Sequence, residues 1–286
     1  MRCLVRAIWQ NTLMYEDNSG MEDIIKRNNV IELGNPHGRP LLLAHGFGCD
    51  QNMWRFLVPL LLDTYRLFLF DYVGAGKSTI ESFSVDRYST LEGYAEDMIE
   101  VIEALKLSNM AIVGHSVSGT IAQLVALKKP ELVGELIMVC PSPCFINDLP
   151  EYEGGFERED LEELIDLLET NYIGWANYLA PIAMGLPIDN DMTAELATSF
   201  CSSDPVITST FARATFFGDY RYLLPKIDNK VLILQSAKDS LAQMGVGQYM
   251  HLRLKHSKMD VIDSEGHCLH MTDPATINKS IRQFLQ

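Results

Sequence analysis

The stretch Ala111-Ile-Val-Gly-His-Ser-Val-Ser-Gly119 decides the interpretation of this sequence. An apolar run with strand character leads into Ser116, and a segment of helical period follows it. This order is typical of a nucleophile elbow, a sharp strand-to-helix turn that exposes a serine hydroxyl. Gly114 supplies the small residue that the turn needs before the serine, whereas Ser118 replaces the usual glycine after it. The alternative is that Ser116 caps an ordinary helix.

An aspartate and a histidine in the C-terminal part of the chain supply the groups that a nucleophilic serine needs. A serine hydroxyl requires a base to take its proton, and the base requires an acid that fixes its tautomer. Asp239 follows the predicted strand 231–235, and His267 follows the predicted strand 259–262. Because the carboxyl ends of parallel strands meet at one edge of a sheet, Ser116, His267 and Asp239 are predicted to form a catalytic triad. Separately, each could be a turn aspartate or a structural histidine.

A glycine-rich loop is predicted to stabilise the negative charge that develops on the substrate oxygen. His45-Gly-Phe-Gly48 directly follows the predicted strand 40–44. We assign the oxyanion hole to the backbone N–H groups of Phe47 and Val117. Simple turn chemistry is the alternative for this loop.

The rest of the chain alternates short aliphatic runs with segments of helical period, which indicates an α/β fold with a mostly parallel central sheet flanked by helices. Helices are predicted at 94–105, where acids such as Asp97 oppose an apolar face, and at 117–128 and 274–285. The alternation breaks at 141–224, where helical pieces at 160–172 and 205–217 indicate an inserted cap. The predicted strands are 40–44, 66–71, 110–114, 135–140, 231–235 and 259–262.

Composition excludes several classes of function. The formal net charge of −15 opposes binding to nucleic acids or anionic membranes. The six cysteines show no paired framework and no zinc-site spacing. We therefore expect reduced thiols in the cytoplasm, no metal and no cofactor. Gly74-Ala-Gly-Lys-Ser78 lacks the first glycine of a phosphate-binding loop, and no signal-peptide core or membrane span is predicted.

Several longer motifs resemble one family closely. They are Gly48-Cys-Asp-Gln-Asn-Met-Trp54, Asp71-Tyr-Val-Gly-Ala-Gly76, Asp86-Arg-Tyr-Ser-Thr-Leu-Glu-Gly-Tyr94, Pro141-Ser-Pro-Cys144, Gly154-Gly-Phe156, Asn171-Tyr-Ile-Gly-Trp175 and Ser203-Asp-Pro-Val206. From about residue 30 onward the chain resembles the RsbQ-type bacterial stress-signalling hydrolases of the α/β-hydrolase superfamily and their plant relatives, the karrikin and strigolactone receptors. Ser118 matches the plant receptors better, whereas 141–144 and 203–206 match RsbQ better.

The resemblance implies an α/β-hydrolase core at 21–140 and 225–286, and a four-helix, V-shaped lid at 141–224 over a small apolar pocket. Residues 1–20 are expected to form a disordered tail. Carried over by motif, the pocket wall comprises Phe47, Phe145, Trp175, Leu179, Phe216 and Ser240.

The family implies slow hydrolysis of a small hydrophobic ester or lactone by a monomer or weak dimer. The alternative function is a ligand-gated signal to a protein partner, of the PAS-domain phosphatase type for RsbQ. An aspartate nucleophile would be needed for dehalogenase or epoxide hydrolase chemistry, whereas C–C hydrolase and haloperoxidase-like reactions use the same triad and stay open.

Overall fold

The computed structural model describes residues 19–286, and the chain before them lies outside this description. The first helix, α1, spans Ser19–Arg27, so the last two residues of the predicted tail are helical. The predicted disorder of the remaining tail falls outside the described residues. Within residues 19–286, no helix is long and apolar enough to cross a membrane.

One seven-stranded sheet organises the described chain. The strands are β1 (Ile31–Gly34), β2 (Arg39–Ala44), β3 (Tyr65–Leu69), β4 (Met110–His115), β5 (Val133–Val139), β6 (Lys230–Lys238) and β7 (Ser257–Glu265). Their spatial order is β1-β3-β2-β4-β5-β6-β7, with β1 antiparallel to β3 and every other neighbouring pair parallel. All six predicted strands are confirmed, with ends that differ by a few residues, and β1 is the strand that the pattern did not predict.

Helices cover both faces of the sheet. The helices after α1 are α2 (Val58–Leu61), α3 (Val85–Tyr88), α4 (Leu91–Ala104), α5 (Val117–Lys128), α6 (Arg158–Thr170), α7 (Tyr172–Met184), α8 (Asp191–Phe200), α9 (Pro205–Phe216), α10 (Met244–Arg253), α11 (Leu269–Thr272) and α12 (Pro274–Phe284). The predicted helices 94–105, 117–128 and 274–285 are confirmed as α4, α5 and α12. Short 3-10 helices span Gln51–Phe56, Ile80–Ser82, Pro130–Leu132 and Arg221–Lys226.

The central strands are buried on both faces, which explains their continuous apolar sequence. Along β2, Leu41 and Leu43 belong to one hydrophobic cluster, whereas Leu42 and Ala44 belong to the other. Alternate side chains of a strand point to opposite faces of the sheet. The two clusters therefore lie on the two sides of the sheet, as expected where helices cover both faces.

Four helices, α6 to α9, lie between β5 and β6. Helix α7 contacts α6 and α8, and α9 contacts α6 and α3. Most of their buried apolar side chains, such as Leu168 and Trp175, pack in the same hydrophobic cluster as Leu41 and Leu43, whereas Phe211 and Ala214 of α9 pack in the other. The V shape that the resemblance implies for this insertion stays a prediction.

Candidate active site

Ser116 lies in the sharp turn between β4 and α5. Its φ of 53° and ψ of −121° place it in a backbone conformation that non-glycine residues rarely adopt. Gly114 is needed here, because a Cβ at this position would lie 2.6 Å from the backbone of Ser118. The turn directs the Ser116 side chain toward the loops that follow β6 and β7. This is the strand-to-helix geometry that the sequence predicts for a nucleophile elbow.

The structure brings Ser116, His267 and Asp239 together. Ser116 Oγ lies 2.7 Å from His267 Nε2, and His267 Nδ1 lies 2.7 Å from Asp239 Oδ2. A carboxylate can only accept, so His267 carries its proton on Nδ1 and accepts the Ser116 hydroxyl proton at Nε2. All three residues are buried, which strengthens the interactions between them.

The Asp239 carboxylate is fixed in place and kept ionised. Its Oδ1 accepts the backbone N–H groups of Leu241 at 2.8 Å and Ala242 at 3.0 Å, while Oδ2 faces His267. Burial raises the pKa of Asp239, but His267 and the two N–H groups outweigh burial and hold the pKa below its ordinary value. The carboxylate is therefore negatively charged at neutral pH.

The loop carrying His267 is tied to the core and to helix α7. Gly266 has φ +94°, and a Cβ there would lie 2.1 Å from the carbonyl oxygen of Met184. The His267 N–H donates to the carbonyl oxygen of Ala183 at 2.7 Å. On the core side, His115 Nε2–H donates to the carbonyl oxygen of His267 at 2.9 Å. The imidazole therefore sits between β4 and the last turn of α7.

The two N–H groups assigned to the oxyanion hole, those of Phe47 and Val117, lie at the ends of β2 and β4 next to Ser116 and have no partner in the described part of the chain. Phe47 follows β2 in the loop His45–Gly48, and Val117 is the first residue of α5. Neither backbone N–H donates a hydrogen bond to another group within residues 19–286. The Phe47 ring packs edge-on against Phe211 and Phe216 at centroid distances of 5.5 and 5.6 Å.

A small apolar cavity of about 30 Å³ adjoins Ser116 and His267. Four of the predicted wall residues line it: Phe47, Phe145, Leu179 and Phe216. Further lining residues lie on the inserted helices, on adjoining loops and at the end of β4. They were not predictable, because the sequence pattern did not predict helix α8 and does not show which way side chains point. The additional residues are Cys49, His115, Ala183, Leu196, Phe200, Thr215, Leu241 and Cys268.

Two predicted wall residues do not reach the cavity. Trp175 is fully buried behind Phe47, with ring centroids 6.0 Å apart. Ser240 is exposed, and the next residue, Leu241, lines the cavity instead. The turn after β6 directs Asp239 and Leu241 inward, so the residue between them faces solvent.

Cys140, Asp239 and His267 offer the one cluster of metal-ligand atoms in the described part of the chain, with these atoms within 4.8 Å of one another. Burial, followed by the Asp239 charge, raises the pKa of the Cys140 thiol well above its ordinary value. A protonated thiol is a poor metal ligand. His267 Nδ1 and Asp239 Oδ2 are moreover hydrogen-bonded to each other. The cluster therefore suits proton transfer better than metal binding.

A second group of histidines lies behind the site. His115 and His270 have ring centroids 4.4 Å apart, and Trp54 lies 4.6 Å from His270. Burial, followed by His267, lowers the pKa of His115 to about 3, and burial, followed by His115, lowers that of His270 well below its ordinary value. Both rings are therefore neutral in the folded protein at pH 5 to 7.

These neutral histidines are expected to make the protein less stable in mild acid. In the unfolded chain a histidine takes up its proton near pH 6.5, whereas the folded protein excludes it down to the lowered pKa. The stabilisation is complete above about pH 6.5 and is lost as the pH falls, by up to about 1.4 kcal/mol per pH unit for each histidine. Urea unfolding between pH 7 and pH 5 measures this slope.

His270→Gln is the variant that tests the origin of this slope. It should unfold with a shallower pH dependence than the wild type, because one proton is no longer taken up on unfolding. His256→Gln is the matched control, since His256 is exposed and only its backbone carbonyl oxygen is bound to the core, where it accepts the Val231 N–H at 2.9 Å. Equal slopes for the wild type and His270→Gln would show that His270 is not held neutral.

Comparisons with known proteins agree with this architecture. Residues 39–172 match the family model of the alpha/beta hydrolase fold. A karrikin insensitive 2 receptor of Petunia hybrida is 37% identical over 251 residues, which cover 87% of this chain and 92% of the receptor. The strigolactone esterase D14 of Arabidopsis thaliana is 33% identical over 264 residues, covering 92% of this chain and 98% of the esterase.

A solved structure of a hydrolase from Oleispira antarctica is similar over nearly the whole chain. It superimposes with a TM-score of 0.91 at 52% sequence identity, covering 96% of this chain and 99% of the hydrolase. The similarity therefore extends across the sheet, the four inserted helices and the loops around Ser116. This chain belongs to the α/β-hydrolase family.

Proposed function

We propose that the protein is a serine hydrolase that cleaves a small hydrophobic carboxylic ester or lactone through an acyl-enzyme on Ser116. The observation that carries this proposal is the relay in which both hydrogen bonds, from Ser116 to His267 and from His267 to Asp239, measure 2.7 Å. Relatives named as esterases support the same class of reaction.

In the proposed reaction His267 takes the Ser116 proton while Oγ attacks the carbonyl carbon. The Asp239 carboxylate stabilises the imidazolium that forms, and the N–H groups of Phe47 and Val117 bind the oxyanion. His267 then gives its proton to the leaving oxygen as the carbon–oxygen bond breaks. A water molecule, activated by the same imidazole, hydrolyses the acyl-enzyme and returns the proton to Ser116.

The cavity argues for a small, neutral, apolar substrate. No lysine, arginine, aspartate or glutamate among residues 19–286 lines it, so a charged group would lose hydration without gaining a partner. A volume of about 30 Å³ has room for little more than one or two water molecules. Substrate entry therefore requires a movement of the wall, part of which, Leu179 and Phe216, belongs to the four inserted helices.

We propose that residues 141–224 act as a lid on a core formed by 21–140 and 225–286. Closure of an apolar lid removes water from the site and strengthens the hydrogen bonds to the oxyanion. Turnover limited by lid movement would be slow, as the resemblance to RsbQ implies.

Trapping of the acyl group is the direct test of this proposal. The protein is mixed with p-nitrophenyl acetate or with small lactones, quenched in acid at intervals, and analysed by intact mass spectrometry. An acyl adduct that appears in the wild type and maps to the peptide containing Ser116 is expected. An adduct on another residue would contradict the proposed nucleophile. Hydrolysis without any adduct, even at a low pH that slows deacylation, would also contradict it.

A second candidate function is a ligand-gated signal to a protein partner. Helix α6 favours it, because Glu159, Glu162 and Glu163 form an exposed acidic face on the lid. Such a face suits a partner with a basic surface, and a PAS-domain phosphatase is the partner that the resemblance to RsbQ implies. The mass-spectrometric time course separates the two functions. Slow loss of the acyl adduct from the protein supports signalling, whereas rapid loss of the adduct supports a metabolic enzyme.

The cysteines support a reducing compartment, and we propose the cytoplasm. Cys49, Cys140, Cys144, Cys201 and Cys268 are all unpaired thiols. Unpaired buried thiols are typical of proteins that work where glutathione keeps cysteines reduced.

A further inference from the structure

Ser118 stands where a nucleophile elbow usually carries glycine, and its hydroxyl has two partners. The residue is fully buried in the first turn of α5. Its Oγ lies 2.5 Å from the carbonyl oxygen of His45 and 2.8 Å from Tyr72 Oη. Because a carbonyl can only accept, the Ser118 proton goes to His45, and the Tyr72 hydroxyl donates to Ser118 Oγ. The three groups form a directed chain from Tyr72 through Ser118 to His45.

Tyr72 holds His45 at a second point. The Tyr72 backbone N–H donates to His45 Nε2 at 3.2 Å, which places the ring proton of His45 on Nδ1, 2.9 Å from the carbonyl oxygen of Gly46. The two rings pack edge-on with centroids 5.0 Å apart. Burial raises the pKa of Tyr72, so its hydroxyl stays a donor at any working pH. Both the ring and the carbonyl group of His45 are therefore fixed.

These contacts join the two halves of the proposed oxyanion hole. His45 begins the loop that carries the Phe47 N–H, and Ser118 is the neighbour of Val117, which carries the other N–H. We propose that Ser118 is a positioning residue that sets the distance between these two donors. The inference rests on the proposed function and assigns a role to a residue that touches neither the substrate nor the triad.

Glycine or alanine at position 118 would leave the His45 carbonyl oxygen without the Ser118 hydroxyl as its donor, and this loss sets the expected effect on kcat. The His45 carbonyl is buried, so it would lose its donor without gaining water. The loop could then relax away from α5 and shift the Phe47 N–H. Hydrogen bonds to an oxyanion depend steeply on position, and removing one donor costs about a hundred- to a thousandfold in kcat.

Thr120 provides a matched control on the same helix. It lies two residues after Ser118 and is equally buried. Its Oγ1 donates to the carbonyl oxygen of Ser142 at 3.1 Å. The loop containing Ser142 carries neither of the assigned oxyanion donors, so Thr120→Val removes the same kind of bond without touching the hole.

The test compares kcat and KM for p-nitrophenyl acetate in the wild type, Ser118→Ala, Ser118→Gly and Thr120→Val. Both Ser118 variants should lose about 10- to 100-fold in kcat with KM changed less than about threefold, whereas Thr120→Val should keep kcat within about threefold. Affinity for a trifluoromethyl ketone, which presents an oxyanion, should fall in parallel with kcat. Tyr72→Phe combined with Ser118→Ala should be no slower than Ser118→Ala alone, because both act through one chain.

Hydrogen exchange of residues 45–48, followed by mass spectrometry, supplies a measurement that needs no turnover. Faster exchange in Ser118→Ala than in Thr120→Val supports the inference, and equal exchange overturns it. A Ser118→Ala variant with wild-type kcat, or with a loss no larger than that of Thr120→Val, also overturns it. A wild type that hydrolyses no ester would refute the proposed function instead, and the exchange comparison would still decide the role of Ser118.

Discussion

Ser116→Ala is expected to lower kcat for p-nitrophenyl acetate by at least about 10⁴-fold, because no other hydroxyl occupies the position facing His267. The Ser116 Oγ is the only partner of His267 Nε2 within the described residues. Without it the imidazole can activate only a water molecule, and no acyl-enzyme forms. KM should change little, since the side chain lost is small and the cavity wall remains.

Controls separate this loss from misfolding. Ser280→Ala removes a similarly buried serine from α12, a helix that contributes no residue to the triad or to the cavity wall, and should keep wild-type kcat. The melting temperature of Ser116→Ala should stay close to that of the wild type, because alanine fits the turn as serine does. Turnover retained by pure Ser116→Ala protein would mean that another residue is the nucleophile.

Asp239→Asn is expected to lower kcat by about 10³- to 10⁴-fold through the tautomer of His267. The carboxylate oxygen Oδ1 accepts two backbone N–H groups, so the asparagine oxygen is expected to take that place. Its amide nitrogen then faces His267 Nδ1 and donates to it. The imidazole must carry its proton on Nε2, where it cannot accept the proton of Ser116.

The pH profile distinguishes this mechanism from a loss of structure. Asp239→Asn should regain part of its activity at alkaline pH, where hydroxide can replace the missing base, while a destabilised protein would not. Asp63→Asn is a suitable control, because Asp63 is exposed and pairs with Arg282 at 2.6 Å, away from the site. If Asp239→Asn kept kcat within about threefold of the wild type, the orienting acid would have to be another residue.

Continuous apolar runs made the central strands predictable, and the lack of such a run explains why β1 was not predicted. Strands β2 to β6 are buried on both faces, so their sequences lack polar residues except near the ends. Strand β1 is four residues long, lies at the edge of the sheet and is only partly buried. Such a strand needs no long apolar run, because only Leu33 of its four residues is buried.

Helix α4 shows where a periodic pattern misleads. The pattern predicts Asp97 among the acids on the polar face of this helix, but Asp97 is fully buried. Its carboxylate accepts the Val73 N–H at 3.1 Å, the Tyr88 hydroxyl at 2.8 Å and an Arg87 N–H at 2.9 Å. All three donors precede the helix, at 24, 10 and 9 residues before Asp97, so the periodic pattern of the helix itself carries no sign of them.

At the site, chain order and local turns were predictable, whereas side-chain direction was not. The positions of Ser116, Asp239 and His267 follow from strands that end at one edge of a parallel sheet. Leu241 lines the cavity in place of Ser240 because of the direction of the short turn after Asp239. Trp175 does not reach the cavity because it packs behind Phe47. Both outcomes are set by tertiary contacts that no single segment contains.

The hydrogen bond from the His267 amide to the carbonyl oxygen of Ala183 has a consequence for timing. It connects His267, the proposed general base, to α7, a helix that the proposed lid movement would displace. If α7 moves outward as a rigid body and this bond persists, the imidazole leaves Ser116; if the bond breaks, the loop carrying His267 loses its anchor on α7. In either case the open form would lack a firmly positioned base, and full reactivity would return only after α7 has closed over the ligand.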